Sequence, residues 1–274
     1  MISFPNAKIN LGLNIVERRS DGYHNIETVF YPIDLTDVLE IVPAKGSGST
    51  LTTYGNCVDC PVEKNLVMRA LRLMQHHYDV PEVDIYLYKH IPDGAGLGGG
   101  SSDASSTLLL LNEMFNLNLE KDALVRMAAK LGADCPFFIY NEPMMATGIG
   151  DVLNPIGVSL KGLYLLLVKP SVSVPTKVAY SRVTPAPSAS SLEKDVVTSV
   201  DKWREVVKND FEPSVFAAFP ELEAIKRAIE KGGALYASMS GSGSSIFGIF
   251  DDVNMAEKMR GKFDNITSYV IELI

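Results

Sequence analysis

Apolar and polar residues alternate over Ile2 to Arg18 and again over Tyr23 to Ile33, the period-two pattern of half-buried strands. Between them Arg19-Ser-Asp-Gly22 is rich in turn residues, so the two stretches predict a β-hairpin. Asp37 to Val42 predicts another short strand, followed by a surface turn over Ala44 to Ser49. At Asn65 to Tyr78 the period changes. Leu66, Met68, Leu71, Leu73 and Met74 fall at helical spacing. Val83 to Lys89 returns to alternation, and helices are predicted over Ser101 to Phe115, with Ser101 or Ser102 as N-cap, and over Lys121 to Leu131. Farther on, Leu163 to Lys169 reads as a buried strand and Thr184 to Ser191 as an exposed loop rich in Pro, Ser and Ala. A helix over Phe219 to Glu230 and strands over Ala234 to Ser238 and Ser245 to Phe250 complete the pattern. Strands and helices mix without strict βαβ alternation, which argues for the α+β class. No internal repeat is evident.

One segment departs from both periods. Pro92-Asp-Gly-Ala-Gly-Leu-Gly-Gly-Gly-Ser-Ser-Asp103 carries Gly94, Gly96, Gly98, Gly99 and Gly100 between the predicted strand and the predicted helix. Glycine has no Cβ, so this backbone can take positive φ and approach a ligand closely. A glycine loop feeding a helix N-terminus presents unpaired N–H donors and the positive end of the helix dipole, an anion site most often used for phosphate. A flexible linker would not sit between an alternating strand and an apolar helix. Gly94 to Gly99 also satisfies G-x-G-x-x-G, but a dinucleotide fold needs an acidic residue ending a strand about 20 positions later. Glu120 follows Asn116-Leu-Asn-Leu119 and precedes a helix instead. No Lys-Ser or Lys-Thr follows the glycines, which excludes a Walker A loop, and the His-Arg-Asp and Asp-Phe-Gly segments of protein kinases do not occur.

The chain has 274 residues, enough for one large domain or two, with the 46% hydrophobic and 21% charged composition of an ordinary globular protein. Its formal charge of −8 leaves no broad basic surface for nucleic acid. Anionic ligands must therefore be met by local donors. Asn6, Lys8 and Asn10 interrupt the N-terminal apolar pattern, so no signal peptide is read there, and the run Leu163 to Val168 is too short to span a bilayer. Three cysteines without an export signal point to a reducing cytoplasm. Cys57-Val-Asp-Cys60 has the spacing of half a zinc or redox site. The adjacent His76 and His77 lack the separation of zinc-finger ligands, and incidental loop thiols are expected.

Three ordered motifs resemble the GHMP kinases: Ala7-Lys-Ile-Asn-Leu-Gly-Leu13, the glycine loop continuing to Ala104, and Met239-Ser-Gly-Ser-Gly-Ser-Ser245. Further detail lies in Lys8-Ile-Asn10, Arg19-Ser-Asp-Gly-Tyr-His24, Gly132-Ala-Asp-Cys-Pro-Phe-Phe138 and Val174-Pro-Thr176. These resemble the members of that family that phosphorylate a cytidine-diphosphate-linked polyol on the non-mevalonate route to isoprenoids. The resemblance implies an α+β GHMP-kinase two-domain fold with the active site between the domains, an ATP-binding domain over residues 1–155 and a C-terminal domain over 156–274. It also implies transfer of phosphate from ATP, the co-substrate, to the 2-hydroxyl of the polyol, with Mg²⁺ expected. The implied partners are the cytidine-diphosphate substrate and ATP, without nucleic acid or membrane, in a cytoplasmic monomer or homodimer. Another acceptor alcohol, or a non-catalytic metabolite sensor on the same scaffold, are the alternatives. The sensor requires loss of Lys8 or Asp134, and both are present.

By resemblance, Asp134 is the catalytic base, although Asp in a helix-to-strand turn is a common placement on residue type alone. Lys8, inside an apolar alternation, either snorkels to solvent or points into a site. The family role has it keep Asp134 ionised and offset charge on the γ-phosphate. Asn10 shares a strand face with Lys8 and is expected to orient the substrate alcohol. The ATP phosphates are assigned to Pro92, Asp93, Gly94, Ala95, Gly96, Leu97, Gly98, Gly99, Gly100, Ser101 and Ser102, and Lys89 to the ATP nucleoside. Tyr23 and His24 are placed at the cytosine, Tyr180 as a ring stacked on it, and Thr176 as a further substrate contact. Asp103 is expected as a first-turn carboxylate complementing the helix dipole. No protein ligand is assigned to a metal.

Overall fold

The computed structural model describes residues 1–274 except 57–59, 181–182 and 188–190, and of Thr176 and Lys177 it describes the backbone alone. In chain order the strands are β1 (Ile2–Ser3), β2 (Asn6–Arg18), β3 (His24–Thr36), β4 (Val38–Pro43), β5 (Thr50–Gly55), β6 (Val83–Lys89), β7 (Met144–Thr147), β8 (Val152–Pro155), β9 (Tyr164–Lys169), β10 (Tyr236–Met239), β11 (Ile246–Phe250) and β12 (Thr267–Glu272). Two compact units are drawn from separated stretches. The first comprises Met1–Ala7, Leu35–Asp93 and Gly98–Glu142, and the second Lys8–Asp34, Gly94–Leu97 and Pro143–Ile274.

The first unit carries a four-stranded sheet in the order β1-β4-β6-β5 and the helices α1 (Leu66–His77), α2 (Gly99–Met114), α3 (Lys121–Ala129) and α4 (Cys135–Tyr140). β6 runs antiparallel to β4, with Ile41 opposite Ile85, and parallel to β5. The predicted single strand from Ile2 is broken before Asn6 around Pro5, which has no N–H to donate to a ladder. β5 is not predicted, because Thr50-Leu-Thr-Thr-Tyr-Gly55 is mostly exposed and shows no apolar face. α1 forms where helical spacing predicts it. Asn65 caps it by accepting from Val67 N at 2.9 Å. Its buried residues Val67, Met68, Leu71 and Met74 pack with Ile41, Ile85, Leu87, Leu108 and Leu111. Each such large side chain contributes roughly 1.5–3 kcal/mol on full burial.

α2 begins two residues before the predicted start. Its N-cap is Gly98 in the left-handed region at φ 72°, and no side chain caps this end. Only a residue without Cβ enters a helix this way at low cost. Ser101 and Ser102 accordingly lie inside the first turn, and Ser102 is buried.

The second unit holds two four-stranded sheets, ordered β2-β3-β7-β8 and β10-β11-β9-β12. β2 and β3 are joined by the predicted turn, in which Arg19 N donates to Tyr23 O at 2.8 Å and Gly22 takes φ 89°. The buried strand β9 lies between β11 and β12, both antiparallel to it. Leu166, Val168, Ile246 and Phe250 pack with Ile225 and Ile229 of the helix Pro220–Lys231 and Met259 of the helix Val253–Arg260. The Val253–Arg260 helix and the half-exposed edge strand β12 are not predicted, since neither has a continuous apolar face. Among the described residues no helix is long and apolar enough to cross a membrane.

Candidate functional site

In the first unit, β6 ends in Lys89, whose side chain is 4% exposed. Its Nζ is ion-paired with Asp37 Oδ2 and, at 2.6 Å, with Asp103 Oδ2. Asp37 Oδ1 also accepts from the backbone N–H groups of His90 at 2.6 Å and Ile91 at 2.8 Å. Burial acting alone would lower the Lys89 pKa, but the charges of Asp103 and Asp37 outweigh it and raise it. Burial pushes the Asp103 carboxyl up to about 7 against the pull of Lys89, and neighbouring Asp37 adds to the rise. Asp103 is therefore not the first-turn carboxylate expected from sequence. It is the fifth helical residue, buried in an ion triad. The Lys89 ammonium, expected at a nucleoside, is held within the protein.

Asp134 lies half-buried at the N-cap position of α4. Its backbone is helical (φ −80°, ψ −16°), and its carboxylate makes no capping hydrogen bond to α4. The turn it occupies leads into a helix, not into the strand that residue type suggests, because Pro136 at the start of α4 is pre-organised for helix. Cys135 beside it is buried, and burial raises its thiol pKa to about 11, so it is an inert thiol at neutral pH.

The central part of the glycine segment, Gly94–Leu97, belongs to the second unit. Lys8 N donates to Leu97 O at 2.9 Å, and Ser240 Oγ donates to Gly96 O at 2.9 Å. Gly96 takes φ 76°, and a Cβ there would come closer than 3.0 Å to the Ser240 carbonyl oxygen. The third sequence motif thus packs directly on the loop backbone.

Lys8 does not snorkel. It is 4% exposed, lies over the Phe30 ring at 4.9 Å, and donates to Asn10 Oδ1 at 2.6 Å. Asn10 Nδ2 donates to Thr28 Oγ1 at 2.9 Å, and Thr28 Oγ1 donates to Gly12 O at 2.6 Å. Having spent its one proton on Gly12, the Thr28 hydroxyl acts toward Asn10 only as an acceptor. That fixes the amide with nitrogen toward Thr28 and oxygen toward Lys8. The Asn10 amide, expected to orient a substrate alcohol, is engaged at both ends in aiming Lys8. Thr28 is not among the residues that sequence alone singles out. Its signal is a polar residue sharing strand parity with buried Ile26 and Phe30.

His24 and Tyr180, far apart in sequence, stack with ring centroids 4.7 Å apart and an interplanar angle of 18°. Phe211 meets Tyr180 edge-on at 4.8 Å. Tyr23 is 62% exposed. Thr176 opens the short helix Thr176–Tyr180, but its side chain, like Cys57 of the Cys-x-x-Cys pair, lies outside the described residues.

Family models described as GHMP kinases N terminal domain and GHMP kinases C terminal match residues 65–142 and 192–265. A 4-diphosphocytidyl-2-C-methyl-D-erythritol kinase of Parabacteroides distasonis is 54% identical over 251 residues, covering 92% of each chain. The chain belongs to the GHMP kinase family. A kinase of the same name from Cytophaga hutchinsonii is 43% identical over 274 residues, the whole of both chains. A crystal structure of 4-(cytidine 5'-diphospho)-2C-methyl-D-erythritol kinase superposes with a TM-score of 0.84 at 32% identity, covering 99% of this chain and 98% of that one. The α+β fold is that of the GHMP kinases, as the resemblance implies.

In this GHMP kinase two substitutions at Thr28 test the relay. Thr28→Val should lower kcat about 2- to 10-fold, the scale of one hydrogen bond, because the Asn10 amide loses the group that sets its orientation. Thr28→Ser, which keeps the hydroxyl, should stay near wild type. Steady-state kinetics on both variants, alongside melting curves, would decide it. Equal activity of the valine and serine variants would dismiss the relay.

Proposed function

We propose that this kinase transfers the γ-phosphoryl group of ATP to the 2-hydroxyl of 4-diphosphocytidyl-2-C-methyl-D-erythritol, giving the 2-phosphate and ADP in isoprenoid precursor biosynthesis. The observation that carries the substrate is the 54% identity, over 92% of both chains, to a relative bearing that name. The Asp21-Gly-Tyr-His24 segment supports it. Residues 1–155 serve as the ATP-binding domain and 156–274 as the C-terminal domain of a cytoplasmic monomer or homodimer.

Phosphoryl transfer asks the protein to align donor and acceptor and to neutralise charge. The backbone N–H groups of Asp93–Ser101 and the uncapped start of α2 hold the ATP phosphates, and Ser102, whose N–H donates to Gly98 O at 2.9 Å, closes the segment. Asp134 accepts the proton of the attacking hydroxyl. Lys8, aimed by Asn10, offsets the charge on the transferring group. Tyr180 stacks on the cytosine, His24 meets its hydrogen-bonding edge, and Tyr23 and Thr176 complete the substrate contacts. Among the described residues no group of three His, Cys, Asp or Glu side chains is placed to hold a metal ion. An Mg²⁺ ion accompanying ATP would be held mainly by phosphate oxygens and water and would supply charge neutralisation.

A coupled ADP-release assay tests the substrate. Turnover is expected with 4-diphosphocytidyl-2-C-methyl-D-erythritol and not with homoserine or mevalonate. Turnover with either of the latter alone would overturn the proposal. The base pocket makes a second demand: exchanging cytosine for uracil should cost the wild type heavily, since buried donors and acceptors are then mismatched. Tyr180→Ala should raise the substrate dissociation constant roughly 5- to 150-fold and spare ATP. Wild type that accepts the uridine analogue equally well would move the acceptor assignment to another alcohol.

A further inference from the structure

The buried charge cluster of the first unit joins the two flanks of the glycine segment. On the entering side, Asp37 accepts from the backbone N–H groups of His90 and Ile91, immediately before Pro92. On the leaving side, Lys89 pairs with Asp103 of α2. Lys89 and Asp37 are themselves ion-paired, so one connected cluster grips both stems. The packing is close where the stems meet: a Cβ on Gly99, the first residue of α2, would lie 3.0 Å from Ile91 Cγ2 and 3.3 Å from Lys89 Nζ.

A cluster placed here for stability alone would be an inefficient choice, because desolvating three charges offsets most of their attraction. Two carboxylates share one cation, and Asp103 Oδ1 is buried with no hydrogen-bond partner. What the arrangement does secure is direction. Paired, hydrogen-bonded charges tolerate few alternative geometries, and here they define the approach of residues 90–91 and the start of α2 together.

We propose that Lys89 is a positioning residue for the phosphate loop: bridging Asp37 and Asp103, it holds the two stems at the spacing that binds polyphosphate, and it acts on ATP through the loop instead of touching the nucleoside. This rests on the phosphate-loop role proposed above. A brace predicts that every polyphosphate ligand suffers alike when it is loosened, whereas a nucleoside contact predicts a loss for ATP alone.

Calorimetric titration with ATP and with inorganic tripolyphosphate separates the two. Asp103→Asn preserves shape and removes one charge. Lys89→Met combined with Asp37→Asn and Asp103→Asn removes the bridge and strands no buried carboxylate, while the amide oxygen at position 37 can still accept from its two backbone donors, so the test stands if the single lysine variant fails to fold. In both variants, folded by circular dichroism and melting, the affinities for ATP and for tripolyphosphate should fall by a common factor of about ten or more. The KM for ATP should rise while the KM for the acceptor alcohol stays put. A loss confined to ATP, with tripolyphosphate binding intact, would overturn the brace in favour of a nucleoside contact. Unchanged affinity for both ligands would overturn it as well. Wild type binding neither ligand would instead remove the phosphate-loop reading on which the brace depends, an outcome visible before any variant is made.

Discussion

Replacing Asp134 by Asn should reduce turnover by about 10²- to 10⁴-fold, the usual contribution of a general base, while ATP binding stays close to wild type. Asn preserves the size of the side chain, and removes its charge and its ability to take a proton. Because the Asp134 carboxylate makes no capping hydrogen bond to α4, its loss should not unravel that helix. A melting curve of the variant separates chemistry from folding. Single-turnover kinetics with saturating ATP, together with an ATP titration, would read both quantities. A variant keeping more than about a tenth of wild-type turnover would exclude Asp134 as the base.

Gly98→Val should abolish tight nucleotide binding, by about 100-fold or more, in a protein that still folds. Gly98 sits at φ 72° as the N-cap of α2, where a β-branched residue is strained by up to several kcal/mol. The backbone relieves that strain by leaving the left-handed region, which turns the first N–H groups of the helix away from their common target. Gly96→Ala should act through a different contact, since its new methyl would press on the Ser240 carbonyl at φ 76°. Calorimetry with ATP on the folded variants would settle the matter. Normal affinity in both would falsify the assignment of the loop to phosphate.

Much of the fold is legible wherever burial is one-sided. The hairpin, α1, β6 and β9 each bury a continuous face or run, and their periods show it. β5 and β12 escape because edge strands half-exposed to solvent need no apolar alternation. The start of α2 escapes because serine is the better cap by propensity, while Gly98 enters the helix through a backbone region closed to serine at low cost. At the site, the shared face of Lys8 and Asn10 is visible from their separation of two in a strand, and their side chains do meet. The surroundings of Lys89 are not visible. Its partners Asp37 and Asp103 lie 52 and 14 positions away, and only the register of β4 against β6 and the packing of α2 bring them together. Thr28 is half-visible: inward parity predicts burial, but the direction of its hydrogen bonds depends on Gly12 O across the hairpin.

The order in which the chain supplies its pieces has a consequence for synthesis. The second unit receives β2 and β3 first, yet their sheet partners β7 and β8 follow only about a hundred residues later, at Met144–Pro155. At ribosomal speeds of about 5–20 residues per second, the young hairpin waits roughly 5 to 20 s before that sheet can be extended. During that interval β3 presents an unpaired edge, while the stretches of the first unit from Leu35 to Glu142 emerge in between and can collapse first. A ribosome paused before Met144–Pro155 emerges would thus expose the open edge of this hairpin, a nascent chain suited to chaperone capture.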